Sequence, residues 1–287
     1  MSERQYYNPE EIALRTLETA EKKAKMDWPR QLVLGILAGA FIAFASEGSN
    51  MAAFNLLANS ETYGLGKALA GAIFGTGLMF VLIAGGELFT GNTLMVSGVL
   101  AKRVRLRDML RNWFFVYLGN LLGSLLIAFM MVHSGLFDSS GGMLGGVTIK
   151  IAAGKVGLPF HSAVFLGIMC NWIVCLAVWM AYGAKDITGK AIIIFFTIWL
   201  FITSGFEHSV ANMYYIPAGI LAKTNGTWAA ISHLPQSALD GLHWQSFFIN
   251  NLIPVTLGNI IGGAGFVGAA YWFVYLRKKK YAVKNES

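Results

Sequence analysis

Long apolar stretches free of Asp, Glu, Lys and Arg dominate the pattern of this chain. They occupy residues 31–46 and 48–60, parted only by Glu47, then 68–86, 112–135, 156–184, 191–206, 209–222 and 241–276. A helix that spans a bilayer needs about 20 mostly apolar residues. Grouped on that length, the stretches predict six spans near 31–57, 66–100, 111–135, 160–183, 190–221 and 248–276. Glu87 falls in the second span and Glu207-His208 in the fifth, so both are interrupted. The predicted fold class is an all-α membrane protein of six transmembrane helices, with helices two and five broken. The chain divides into an amphipathic arm (1–30), a six-helix transmembrane domain (31–277) and a basic tail (278–287).

A pattern repeats within the domain. Leu118-Gly119-Asn120-Leu121-Leu122-Gly123 in the third span recurs as Leu257-Gly258-Asn259-Ile260-Ile261-Gly262 in the sixth. Each copy follows an interrupted span, so spans one to three match spans four to six. Three crossings per half make the second half enter from the opposite side, which is an inverted repeat (3+3). Glycines at helical spacing let helix backbones approach closely.

The basic residues orient the spans. With both termini in the cytoplasm, the inner side holds Arg4, Arg15, Lys22, Lys23, Lys25 and Arg30 of the arm. It also holds Lys102, Arg103, Arg105, Arg107 and Arg111 of the second connection, and Lys185 and Lys190 of the fourth. Arg277, Lys278, Lys279, Lys280 and Lys284 of the tail complete it. Only Lys67, Lys150, Lys155 and Lys223 remain outside. That asymmetry follows the positive-inside rule and requires an even number of spans.

Composition narrows the function classes. Of the 287 residues, 55% are hydrophobic and 13% charged, with a mean hydropathy of +0.56. A soluble domain carries about 25% charged residues. A disordered chain, a coiled coil and a disulfide scaffold are excluded, and a soluble enzyme is disfavoured. The net charge of +7 lies mostly between the apolar blocks, so it reads as membrane orientation and not as a nucleic-acid surface. Cys170 and Cys175 share one apolar run and read as small packed hydrophobes. No pattern for a metal or another cofactor is present. In the arm, Asn8 can cap a helix, Pro9 suits its first position and Glu11 completes a capping box. Ile12, Leu14, Leu17, Ala20 and Ala24 recur near helical spacing, which fits an interfacial anchor or a movable plug at the inner mouth.

Ionisable groups inside spans are costly and mark functional sites. The first interruption reads Gly85-Gly86-Glu87-Leu88-Phe89-Thr90-Gly91-Asn92-Thr93. Glu87 can cap the exposed N–H groups of the second half-helix, and Thr90 offers a hydroxyl to a small polar solute. The second reads Ser204-Gly205-Phe206-Glu207-His208-Ser209-Val210-Ala211-Asn212. Here Glu207 is another cap. His208 is the one histidine at an interrupted midplane, able to give a proton or a hydrogen bond near neutral pH. Phe74, Leu78 and Phe201 read by pattern alone as packing residues.

Taken together, both interruptions, the two Leu-Gly-Asn segments, Cys170-Asn171-Trp172 and Asn251-Leu252-Ile253-Pro254-Val255-Thr256 resemble the formate/nitrite transporter family over roughly residues 10–277. The resemblance implies an aquaporin-like inverted repeat and a homopentamer in the cytoplasmic (inner) membrane, with one substrate path per protomer. Matched by motif, it implies that His208 is the central pathway histidine and Thr90 the pore-facing threonine of the loop in span two. Asn171 lies nearby, and Lys155 is the lysine of the outer vestibule. Phe74, Leu78 and Phe201 become apolar constrictions, while Glu87, Glu207 and Asn212 support the broken helices. The family's arm is expected to gate the inner mouth. The implied cargo is a small monovalent weak-acid anion moving with a proton. Formate is favoured by Gly205-Phe206-Glu207-His208, while nitrite and hydrosulfide are the near alternatives. A neutral-solute channel would use paired Asn-Pro-Ala segments, and an intramembrane metalloprotease would need His-Glu-x-x-His; neither occurs. The chain is therefore not expected to be an enzyme.

Overall fold

The computed structural model describes residues 5–277; the basic tail read at 278–287 lies outside the described residues. Among the described residues the protein is helical throughout, with one isolated backbone bridge between Tyr6 and Ala184. Five helices are long and apolar enough to cross a membrane. They are α2 (Trp28–Leu57), α3 (Tyr63–Gly85), α6 (Leu106–His133), α8 (Phe160–Gly183) and α13 (Trp244–Leu276). A shorter apolar helix, α9 (Ile187–Thr203), is followed after a gap by α10 (Ser209–Ala222), and two short helices, α11 (Gly226–Ile231) and α12 (Gln236–Gly241), lead into α13. The corresponding gap in the first half parts α3 from α4 (Phe89–Asn92) and α5 (Val96–Leu100).

Glycine dictates which helices meet. A Cβ on Gly39 would stand 2.1 Å from the Asn120 carbonyl oxygen, and one on Gly123 would stand 2.0 Å from that of Ile36. α2 and α6 therefore touch backbone to backbone. α8 and α13 do the same: a Cβ on Gly258 would stand 2.2 Å from the Val164 oxygen, and one on Gly262 2.2 Å from the Ile168 oxygen. The repeated Leu-Gly-Asn segments form these two contacts. The halves join where α3 meets α9. There Gly71 faces Trp199, whose Nε1–H donates to the Ala68 carbonyl at 2.8 Å.

The interruptions fall a little differently from the sequence expectation. Gly86-Glu87-Leu88 and Phe206-Glu207-His208 stand outside helices, and the chain re-enters helix at Phe89 and Ser209. Residues 136–159, read as a connection, contain a further helix, α7 (Ser139–Val156). Its start is irregular, with Ser140, Gly141 and Gly142 at positive φ. The later glycines look like loop signals but serve packing, since Gly145 lies against Trp228 and Gly146 against Ile231. α7 supports α10, where a Cβ on Gly219 would approach that of Ala152 to 2.2 Å.

The arm is α1 (Pro9–Lys25). Asn8 Oδ1 accepts from Glu11 N–H at 2.9 Å, and Glu11 Oε2 accepts from Asn8 N–H at 2.7 Å, closing the capping box. Its apolar face is covered by protein, not left to the bilayer surface. Ile12, Ala13 and Leu17 pack with Trp179 and Leu276, and Ala20 and Ala24 pack with Met95, Val104 and Met109.

Candidate functional site

The two interruptions share a frame: a glycine, a glutamate two residues on and an asparagine five residues after that. Gly85 has φ +105° and Gly205 φ +77°, a region that a side chain makes costly. Two residues on, each chain carries a buried glutamate, Glu87 or Glu207, and each is clamped by an asparagine of the repeated segment. Asn120 Oδ1 accepts from Phe89 N–H at 2.9 Å, while its amide donates to the carbonyls of Gly35 (2.8 Å) and Glu87 (2.9 Å). Asn259 Oδ1 accepts from Ser209 N–H at 2.9 Å, while its amide donates to Gly167 (2.9 Å) and Glu207 (3.0 Å). Backbone groups freed by non-helical geometry inside a membrane must find partners within the protein. These two asparagines supply them.

The glutamate side chains are held in the same symmetric way. Glu87 Oε2 accepts from Asn92 at 2.7 Å, and Asn92 also donates to Asn112 at 2.8 Å. Glu207 Oε2 accepts from Asn212 at 2.6 Å, and Asn212 also donates to Asn251 at 2.7 Å. Each second carboxylate oxygen meets a lysine: Lys23 of α1 at 2.5 Å from Glu87, and Lys155 of α7 at 2.8 Å from Glu207. A buried charge needs such a partner.

Between these shared positions the two interruptions differ, and one difference carries chemistry. Leu88 follows Glu87, but His208 follows Glu207. His208 Nδ1 accepts the Ala211 N–H at 3.0 Å, so the ring proton sits on Nε2. Nε2 lies 2.9 Å from Thr90 Oγ1 and donates to it. This bond joins the two interruptions. Above it, Phe201 lies 5.9 Å from the His208 ring and 5.9 Å from Phe74 in an edge-to-face contact. Phe74, Leu78 and Phe201 are all buried. Asn171 turns its amide to Thr90 O (3.2 Å), Thr93 Oγ1 (3.2 Å) and Asn259 O (2.7 Å), so it braces the Thr90 loop.

A vestibule of about 370 Å³ reaches down to His208, with Lys67, Lys155, Phe201, Glu207 and Tyr215 in its wall. On the opposite side, beneath the first interruption, the space left is about 10 Å³, enclosed by Thr16, Lys23, Gly91, Leu94 and Tyr182. The docked arm thus leaves room there for about one water molecule. Among the described residues no group of three or more His, Cys, Asp or Glu side chains could hold a metal ion.

Nine of the ten candidate residues named from the sequence fall in this region, with His208, Thr90 and Asn171 in one cluster, Lys155 on Glu207, and Asn212 on both Glu207 and Asn251, while Leu78 is buried in the apolar core. The sequence reading missed Lys23, Asn112, Tyr215 and the clamping roles of Asn120 and Asn259. A signal existed for the asparagines alone. Asn112 precedes Asn120 by eight residues, as Asn251 precedes Asn259, so both pairs repeat with the glycines.

A model of the formate/nitrite transporter family matches residues 10–273. The chain belongs to that family. The family consists of channels and transporters, not enzymes, and this chain is a multi-pass membrane protein. It is 40% identical over 287 residues to a probable formate transporter of Methanothermobacter thermautotrophicus, covering 95% of this chain and 98% of that one. It is 38% identical over 255 residues to the formate channel FocA of Escherichia coli (strain K12), covering 86% and 87%. A solved pentameric formate channel with formate bound superposes with a TM-score of 0.77 at 38% identity, covering 87% of this chain and 98% of that one.

Proposed function

We propose that this chain carries formate across the cytoplasmic membrane as the neutral acid, proton and anion together, through a path in each protomer of a homopentamer. The observation that carries the reading is the Nε2 to Thr90 Oγ1 hydrogen bond, set beneath Phe201 and Phe74 at the floor of the vestibule. A bare anion entering an apolar constriction loses hydration, at an effective cost of several kcal/mol. The neutral acid avoids that cost. As the anion moves down the vestibule, the falling dielectric raises its affinity for a proton.

The source of that proton is His208 or water, and the hydrogen bonding favours water. With Nδ1 accepting from Ala211, the ring is neutral, and giving up its Nε2 proton would leave an anionic ring. The His208-Thr90 pair then orients the solute: Nε2 donates to the hydroxyl, and the hydroxyl can donate onward. Formate is the cargo named for the relatives and the superposed channel. Nitrite and hydrosulfide fit the same chemistry as small weak-acid anions.

Six crossings make up each protomer: the five long helices, and α9 with α10 as the sixth. Both termini face the cytoplasm in this reading, which the Lys/Arg asymmetry supports. The arm closes the inner mouth through Lys23 and Glu87. The test is uptake of formate, nitrite and hydrosulfide into proteoliposomes across a pH series. Formate uptake should rise as outer pH falls and should drop in His208→Ala. Equal pH-independent uptake by wild type and His208→Ala would refute the reading.

A further inference from the structure

Four charged residues stand in the vestibule wall: Lys67, Lys150, Lys155 and Glu207. Lys155 is ion-paired with Glu207 at 2.8 Å, so the one negative charge already has a partner. Lys150 is exposed, where water screens its charge. Lys67 differs from both. It is half-buried one turn into α3, and none of the ion pairs among the described residues includes it. Its Cε lies 4.0 Å from the point where a Cβ on Gly205 would stand, which puts the side chain over the second interruption. Asn50, on the same wall, is 2% exposed and has an amide nitrogen without a hydrogen-bond partner. Ser49 Oγ donates to Ala70 O at 2.8 Å, so this level of α2 sits one turn of α3 from Lys67.

A half-buried ammonium with no carboxylate at ion-pair distance is stabilised by an anion brought to it. We propose that Lys67 is the cation of an anion-binding subsite in the vestibule, which holds a small monovalent oxyanion still charged, before it reaches His208. Lys155 cannot fill this role alone, because Glu207 already neutralises it. Asn50 adds an N–H donor. The inference rests on the transport reading and deepens it: the vestibule concentrates the charged form, and the constriction passes the neutral one.

Lys67→Gln and Lys67→Arg, each checked for the oligomeric state of wild type, test the subsite; Lys67→Met replaces Lys67→Gln should that variant fail to assemble. In proteoliposomes, Lys67→Gln should raise the half-saturating formate concentration about tenfold, as for loss of one charge-assisted hydrogen bond, and leave the maximal rate nearly unchanged. Lys67→Arg should stay near wild type. Added salt should raise the wild-type half-saturating concentration and leave that of Lys67→Gln unmoved. An unchanged half-saturating concentration, a loss confined to the maximal rate, or an arginine variant as impaired as glutamine would overturn the proposal. Thermal stabilisation of the purified protein by sodium formate is read separately, with sodium chloride to detect general anion binding. If wild type transports no formate, the transport reading fails. The subsite then stands on stabilisation by formate that Lys67→Gln abolishes, and falls if both proteins respond alike or neither does.

Discussion

One hydrogen bond, from His208 Nε2 to Thr90 Oγ1, ties the two interruptions together, and its direction is set by the Ala211 N–H on Nδ1. Thr90→Val keeps the size of the side chain and removes the acceptor. A buried donor left without a partner costs about 1–3 kcal/mol. Formate uptake should therefore fall about tenfold or more in Thr90→Val, since about 1.4 kcal/mol is a factor of ten in rate. Uptake at the wild-type rate would show that the hydroxyl does not serve the path. His208 and Thr90 were legible in the sequence because glycines flank a polar group inside an apolar run. Lys23 was not legible. It is one of several lysines in the arm, and only the docking of α1 under the first interruption singles it out. Asn171 and the three apolar residues entered by resemblance. Their own pattern does not separate a constriction from ordinary packing, because Phe74 and Phe201 acquire meaning only by meeting across the two halves.

Among the elements, close contact between helix pairs depends on particular glycines and not on glycine content. A Cβ on Gly262 would meet the Ile168 oxygen at 2.2 Å, while Gly265, on the same helix, has nothing within 4 Å. Gly262→Ala should lower the melting temperature of the purified protein sharply, and Gly265→Ala should leave it unchanged or raise it slightly. Equal effects would mean that α8 and α13 do not pack through these backbones. The same physics concealed α7. A sequence does not show that Trp228 and Ile231 fill the space its glycines leave. The arm offers a second element-scale test. Replacing Lys23 by Gln strips Glu87 of its cation, and an uncompensated buried charge costs about 3–5 kcal/mol. Limited trypsin digestion of Lys23→Gln should cut the arm at Arg15 and Lys22 faster than in wild type. An unchanged digestion rate would mean that the apolar face alone holds α1 in place.

At the scale of the whole molecule, an inverted repeat supplies two matched frames, and a histidine distinguishes the second. Each frame holds a glutamate, an asparagine clamp and a lysine; only the second places a histidine beside the glutamate. The fold could be read from the apolar stretches, the repeated segment and the Lys/Arg asymmetry, since all three are imprinted by the bilayer itself. The side-chain pairings of the site could not, since they join positions as far apart as Thr90 and His208. The central claim is that the solute crosses the constriction without net charge. It is tested most directly in proteoliposomes carrying a pH indicator inside, with the membrane potential clamped at several values. The account predicts that formate entry acidifies the interior by one proton per formate and proceeds at the same rate at every potential. Formate entry that leaves the internal pH unmoved and scales with the potential would contradict it.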